Sequence, residues 1–355
     1  MKTNSVSRRV VPFFTAALSA VLFGIATPAS KYLLRDIHPF SLAGLLYLGA
    51  SAGLLPVVIA RKEFAALRGM NRANTRRLFG AVILGGIAGP VLLMFGLTQA
   101  SASSVSLWLN LELVATSVLG YLFFRDYLGK AGWAGVLLAL LSGVLLTVSE
   151  GRTGAAAAVL VGCACVCWGF DNHFTALIDG ISAVQSTFVK GLFAGGITTC
   201  IGFSAYGLPP SAMPVACAVA LGGVSYGVSI VLYIMSAQKI GAIRSQIVFS
   251  SSPFFGFFFS MLLLSEPATR LQVVSFALLV AAIALMALEK HEHYHEHREL
   301  QHTHFHRHDD MHHDHVHGES APYHEHGHRH ENGAHVHPHW PDIHHRHEHG
   351  GTGKP

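Results

Sequence analysis

Charge is scarce in this chain. Asp, Glu, Lys and Arg make up only 12% of its 355 residues, about half the share of an ordinary soluble domain. Half of the residues are hydrophobic, so a water-facing globular surface does not fit. Cysteine is also scarce. Its five copies, Cys163, Cys165, Cys167, Cys200 and Cys217, all fall within apolar segments, which argues against a disulfide framework. No G-x-x-x-x-G-K-[ST] phosphate loop is present to power an ATP-driven pump, and the apolar runs hold no paired His/Asp/Ser constellation, so the chain reads as neither a pump nor an enzyme. There is no basic face for nucleic acid either, because the excess Lys and Arg sit in short loops.

The sequence changes character at Lys290. Of its 25 histidines only His38 and His173 come earlier. Residues 1–290 hold 19 Lys and Arg against 9 Asp and Glu, whereas residues 291–355 hold 5 against 11. The net charge of +4 therefore hides a basic body and an acidic tail.

Crossing the hydrocarbon core takes about 20 apolar residues in a helix. Ten such spans are read near 11–34, 40–60, 78–98, 102–124, 131–149, 155–177, 183–205, 212–236, 242–264 and 270–289. The turn near Gln99 to Ser101 is the weakest division, since one long broken helix is the alternative. Lys2, Arg8 and Arg9 ahead of an apolar run look like the start of a signal peptide, but no soluble domain follows and the run is read as the first span. The connections assigned to one side carry Lys2, Arg8, Arg9, Arg61, Lys62, Arg68, Arg72, Arg76, Arg77, Arg125, Lys130, Lys239 and Arg244; the other side has only Arg35, Arg152 and Arg270. The positive-inside rule places the first set, and both termini, in the cytoplasm of a bacterial-type inner or plasma membrane.

The body repeats itself. Gln99-Ala-Ser-Ala-Ser through Phe124-Arg125-Asp126 resembles Lys239-Ile-Gly-Ala-Ile through Leu264-Ser265-Glu266; Phe23-Gly24 is answered by Trp168-Gly169, and Gly85-x-x-x-Gly89 by Gly223-x-x-x-Gly227. Five spans is an odd number, so the second unit enters the membrane from the opposite side, as in the inverted repeats of secondary transporters. The expected division is a cytoplasmic N-terminus over 1–10, a first five-helix repeat over 11–149, a second over 150–290, and a tail over 291–355. On these residues, with Ser251-Ser252-Pro253 through Glu266 the best-matching span, the body resembles the EamA-type carriers of the drug/metabolite transporter superfamily. Leu113 and Asp126 stand where that pattern has proline and glutamate, and the last span lacks its usual glycine. The resemblance implies an all-α membrane protein, with ten transmembrane helices as two inverted five-helix repeats, that exports a small organic metabolite, amino acid or drug. The substrate and the oligomeric state stay open.

An ionisable side chain deep in a span costs about 2.5–3.5 kcal/mol on insertion scales and faces a cavity or a partner. Glu112 lies about ten residues into the fourth span, roughly 15 Å deep at 1.5 Å per residue, with no equally deep cation to neutralise it. It is the first candidate for binding substrate or a proton. Trp108 and Asn110 are read as an aromatic wall and a hydrogen-bonding amide beside it. Asp171 and Lys190, each roughly 10 Å from the cytoplasmic boundary, are candidates for an ion pair between adjacent helices. Trp168 and Asn172 share neighbouring faces with Asp171, and Gln246 is a further lining candidate. His173 reads as a hydrogen-bonded side chain near a helix end, and Lys31 as reaching the headgroups or attracting anions at the outer mouth. The Cys163-x-Cys165-x-Cys167 run cannot share one ion on a helix, because the residue two positions on points away.

The tail repeats His-x-His: His291, His293, His295 and His297; His302, His304, His306 and His308; His335, His337 and His339; then His344, His345, His347 and His349. Few apolar residues and interspersed Pro and Gly predict disorder. Imidazoles among carboxylates suit Zn, Ni, Co or Cu ions. The body itself calls for no cofactor. The tail admits three readings, as a metal buffer or sensor, as a pH-responsive brush, or as a tolerated low-complexity extension. A divalent transition-metal exporter whose tail collects ions is thus the alternative to an organic-solute carrier, and a membrane-anchored metal store is a third reading.

Overall fold

The computed structural model describes residues 4–60, 70–124, 128–178, 181–240, 242–288, 292–297, 300–307, 323–330 and 333–338. The landmark Arg125-Asp126 and the tail residues His291, His308, His339, His344, His345, His347 and His349 lie outside the described residues.

The body is helical throughout its described length. Helix α1 runs Asn4–Gly24 and resumes as Ala26–Leu33. Then come α2 (Pro39–Ala60), α3 (Arg72–Gln99), α4 (Ala102–Phe123), α5 (Lys130–Ser149), α6 (Gly154–Ala176), α7 (Ala183–Tyr206), α8 (Ala212–Ile240), α9 (Ala242–Phe249 and Ser252–Leu264) and α10 (Arg270–Leu288). Nine of these are long and apolar enough to cross a bilayer among the described residues, and the two apolar segments of α9 make the tenth span. Helix α3 begins before the predicted 78, because Asn71 caps it by accepting from the amide of Asn74 at 2.8 Å. A true turn separates α3 from α4, where the Ser101 side chain accepts from the amide of Ser104 at 3.1 Å.

Helices 1, 4 and 9 are broken, and proline explains two of the breaks. A proline has no amide hydrogen and its ring clashes with the carbonyl four residues back. Pro28 acts on Gly24 and Pro253 on Phe249, which are the last residues of the first segments. Helix α4 breaks at Leu109-Asn110 without a proline; bonds of i to i+3 type, such as Glu112 to Leu109 at 3.0 Å and Leu113 to Asn110 at 3.1 Å, tighten the chain there. Helices α3 and α8 each contain a π-helical stretch, Ala81–Ala88 and Gly222–Val228, at equivalent places in the two repeats.

The repeats exchange their first helices. Helix α1 packs on α8 and α9 of the second repeat, and α6 packs on α3 and α4 of the first. Helices α2 and α7 form the tightest seam. A Cβ on Gly195 would stand 2.4 Å from the amide nitrogen of Leu48, one on Gly202 2.5 Å from Ser41 Oγ, and one on Gly44 2.5 Å from the amide nitrogen of Thr199. Small residues let these backbones approach closely, the main source of helix association in lipid. Reciprocal serine bonds mark the pseudo-symmetry: Ser142 Oγ to the Ser275 carbonyl at 3.1 Å with Ser275 Oγ to the Ser142 carbonyl at 3.3 Å, and Ser19 with Ser229 at 2.7 and 2.9 Å.

Lys290–Pro341 forms a compact unit of its own. Composition alone predicts disorder for this tail, yet four short strands are found: β1 (Glu292–His297) pairs antiparallel with β4 (Gly333–Pro338), and β2 (Leu300–Arg307) with β3 (Tyr323–His330). The His-x-His alternation has the period of a strand, but an isolated two-stranded ladder is only marginally stable in water.

Candidate functional site

The charged residues of the spans converge around α6. Lys190 Nζ of α7 donates to Asp171 Oδ1 at 2.9 Å and to Oδ2 at 2.7 Å, and both side chains are buried. Thr175 Oγ1, one turn along α6, adds a bond to Asp171 Oδ1 at 3.0 Å. The carboxylate lies directly against α3, where a Cβ on Gly85 would stand 2.0 Å from Asp171 Oδ2. The next residue of α6 turns to α4: Asn172 Nδ2 donates to Glu112 Oε1 at 2.9 Å and to Thr116 Oγ1 at 3.1 Å. His173 Nε2 lies 2.9 Å from the Thr116 carbonyl, and its ring stacks on Phe124 at 4.1 Å. Three consecutive residues of α6 thus hold α3, α4 and α7.

Local backbone chemistry prepares this cluster. In the π-helical stretch of α3 the amide of Gly89 bonds the Leu84 carbonyl, five residues back. The same register would assign the Gly85 carbonyl to the amide of Pro90, which has no hydrogen. Two side chains satisfy that carbonyl instead, Tyr47 Oη at 2.7 Å and Trp168 Nε1 at 3.0 Å. In α4 the break puts Glu112 in the first turn of Leu111–Phe123, where the helix dipole favours a negative charge. Asn110 donates to the Leu107 carbonyl at 3.3 Å, and its buried Oδ1 lacks a partner among the described residues.

A second polar network ties together one end of the bundle, the end that holds Ser101. Glu266 Oε1 accepts from the amide of Ala102 at 2.9 Å, and Oε2 accepts from the amide of Ser103 at 2.8 Å and its hydroxyl at 2.6 Å. Glu150 accepts from the amide of Ser101 at 3.0 Å and also from its hydroxyl. Gln272 Nε2 donates to Ser104 Oγ at 2.9 Å. Lys31 Nζ donates to the carbonyls of Leu97 at 2.6 Å and Ala100 at 3.0 Å, which caps the end of α3. Lys31 and Glu266 line an open pocket of about 290 Å³ with Leu34, Arg35, Thr98 and Leu264. At the same end His38 stacks on Tyr206, and burial pushes its pKa below the ordinary value.

A model of the EamA-like transporter family matches the chain twice, over residues 11–148 and 155–288. The chain belongs to the EamA-like transporter family. It is accordingly an integral membrane transporter built from two repeats. An uncharacterised transporter from Methanothermobacter thermautotrophicus is 26% identical over 301 residues, covering 79% of this chain and 87% of the relative. A solved crystal structure aligns with a TM-score of 0.58 at 16% identity, covering 80% of this chain and 98% of the other; at that identity the likeness concerns the fold alone.

Within this EamA-like frame several residues stand elsewhere than their sequence positions suggest. Trp108 is not a wall beside Glu112. It is fully buried against α5, where Nε1 donates to the Gly143 carbonyl at 3.1 Å, because the chain turns at Leu109-Asn110 and separates the faces on either side. Lys31 holds the end of α3 instead of reaching toward headgroups, since the α3–α4 turn leaves carbonyls there without helical partners. Gln246 accepts from Tyr233 Oη at 2.6 Å in a different cluster, on α8 and α9. Cys163 is exposed, Cys165 buried and Cys167 partly buried, as three directions on one helix require. Among the described residues no three His, Cys, Asp or Glu side chains are grouped to hold a metal ion.

Other contributors carry little signal in the sequence. Tyr47, Gly85 and Thr116 look like ordinary packing residues. Glu150 sits in a loop, and Glu266 is visible there only as a landmark of the repeat. An acidic residue in a short loop facing the small, polar start of a neighbouring helix is the one signal that could have pointed to the Ser101 network.

Proposed function

We propose that this EamA-like transporter is a secondary active carrier that moves a small organic metabolite, amino acid or drug outward through a midplane site centred on Glu112. The observation that carries the reading is the uneven charge within the spans. Lys190 is bonded to both oxygens of Asp171, whereas the partner given to Glu112 is the amide of Asn172. A carboxylate so placed can exchange a weak neutral partner for a proton or for a cationic group on a solute, and that exchange couples binding to movement.

Asp171 and Lys190 act as the gate or register pair beside the site. The Lys and Arg distribution puts the Ser101 end outside and both termini in the cytoplasm. On that assignment the Glu266, Glu150, Lys31 and Gln272 network closes the outer end, and its release alternates with closure at the inner end, as two inverted halves permit. The metal-export alternative has less support, since no ligand group stands among the described spans.

The test is a solute screen. Cells overexpressing the full chain, a chain ending at Lys290, or the Glu112→Gln variant are loaded with amino acids and a mixture of small amines and drugs, and release is followed by mass spectrometry. At least one solute should leave faster with the full chain and with the truncated chain, and at background rate with Glu112→Gln. If no organic solute distinguishes wild type from Glu112→Gln while Zn²⁺ release does, the metal reading replaces this one.

A further inference from the structure

The tail ladders set histidine opposite histidine. In the β2–β3 pair, His302 opposes His328, His304 opposes His326, and His306 opposes His324. In the β1–β4 pair, His293 opposes His337 and His295 opposes His335. Residues two apart on a strand share a face, and directly opposed residues share it too. One ladder therefore carries three histidine rungs on a single face, and the other carries two.

The other face is mixed. In β2–β3 it holds Gln301 with Arg329, Thr303 with Gly327, Phe305 with Glu325 and Arg307 with Tyr323. Neither ladder has an apolar face that could be buried against a third strand, and each pairs only two strands. Water alone gives such a ladder marginal stability. The histidine rungs offer a different source of stability, because four positions on two adjacent rungs mark a rectangle of about 5 by 7 Å. That is small enough for their imidazoles to share one tetrahedral ion. Zinc in tetrahedral sites takes imidazole nitrogen readily, and the free energy of binding then becomes free energy of folding.

We propose that each tail ladder is a binding site for a divalent transition-metal ion of the zinc class, with adjacent His-opposite-His rungs as its ligand set, and that metal loading and strand pairing are one coupled event. The ligand positions are His302, His304, His306, His324, His326 and His328 on one ladder and His293, His295, His335 and His337 on the other. No covalent or redox step is involved. The inference does not depend on what the body transports.

The experiment uses the full chain in detergent with Zn²⁺ alone as the probe, read by calorimetric titration and by amide hydrogen exchange. Zn²⁺ should bind at two or more sites per chain and slow exchange within 300–307 and 323–330. One variant changes His302, His304, His306, His324, His326 and His328 to Gln; a second, matched in number, changes His312, His313, His315, His317, His345 and His347 to Gln. Loss of outer-shell partners alone weakens metal sites by about 10- to 100-fold, so loss of the rungs should weaken the β2–β3 site by at least about 10-fold and abolish its protection. The matched variant should leave both unchanged. Equal weakening by the two variants would mean that binding follows histidine number and not register, and overturns the proposal. Zn²⁺ binding without added protection overturns it as well. Solute release by the body is unaffected in either case, which keeps this result separate from the carrier reading.

Discussion

The two repeats build the same cradle and furnish it differently. In one, α6 brings Trp168, Asp171 and Asn172 against α3, α4 and α7, where Lys190, Glu112 and Gly85 meet them. In the other, α1 brings Phe23 against α8 and α9, and its ring lies 5.3 Å from both Tyr226 and Phe249. The repeat aligns Trp168 with Phe23, Asp171 with Ala26, and Glu112 with Ser252. Every ionisable group of the first cradle thus has a neutral counterpart in the second, where Tyr233 and Gln246 supply the hydrogen bond. A shared scaffold need only place helices, while one side alone carries the charge that a coupled carrier would use.

The sharpest way to break this comparison is at its two centres. Glu112→Gln is expected to reduce release of the transported solute to background with the protein still folded by thermal unfolding, whereas Ser252→Ala should keep most of the rate. Comparable losses at both positions would remove the functional asymmetry.

Stability should separate the cradles next. Lys190→Met leaves the Asp171 carboxylate buried without its partner, a change expected to cost about 3–5 kcal/mol. Replacing both partners together, Lys190→Met with Asp171→Leu, should recover most of that loss, because a packed apolar pair removes the uncompensated charge. Unfolding midpoints of the two variants read the difference, and a double variant no better than the single one would show that the pair does more than neutralise itself.

A smaller contrast lies in the matched glycines. A Cβ on Gly85 would enter the Asp171 carboxylate, while one on Gly223 meets its nearest atom, the Gly49 carbonyl, at 3.4 Å. Gly85→Ala should then cost about 1–3 kcal/mol as overpacking, and Gly223→Ala little by the same thermal measurement. The smallest expected effect is at the Ser101 end. Glu266→Ala frees the amides of Ala102 and Ser103, for about 1 kcal/mol by analogy with the loss of a helix N-cap; hydrogen exchange at those two amides should rise without a change at Asn172.

Much of the frame was legible beforehand. The ten spans, the inverted repeat and the small set of suspect charges follow from how rarely a charge interrupts these apolar runs. Asp171 and Lys190 could be paired on paper because each stands a similar depth from one boundary on adjacent antiparallel helices. Direction around a helix was less accessible. Trp108 and Glu112 lie four residues apart and would share a face on an unbroken helix, but the turn at Leu109-Asn110 sends Trp108 to α5, and no proline announces that turn. The π-helical stretches were equally silent, since their trace is a carbonyl that Pro90 leaves to Tyr47 and Trp168. In the tail, the alternation of histidines showed the period of a strand, but which histidine opposes which depends on the pairing register.

The sequence by itself determined that this chain spans a membrane, how many times, and that its halves are inverted. Those properties follow from apolar length and repeat order, because lipid leaves a backbone no partner but its own helix. Only the tertiary structure decided which helices meet. Helices α1 and α6 cross into the opposite repeats, Gly195 and Gly202 close the α2–α7 seam, and Asn172 reaches Glu112. Lipid tails are as apolar as leucine, so hydrophobicity cannot choose between neighbouring helices. Close contact of small side chains, and the need of each buried polar group for a partner, made that choice.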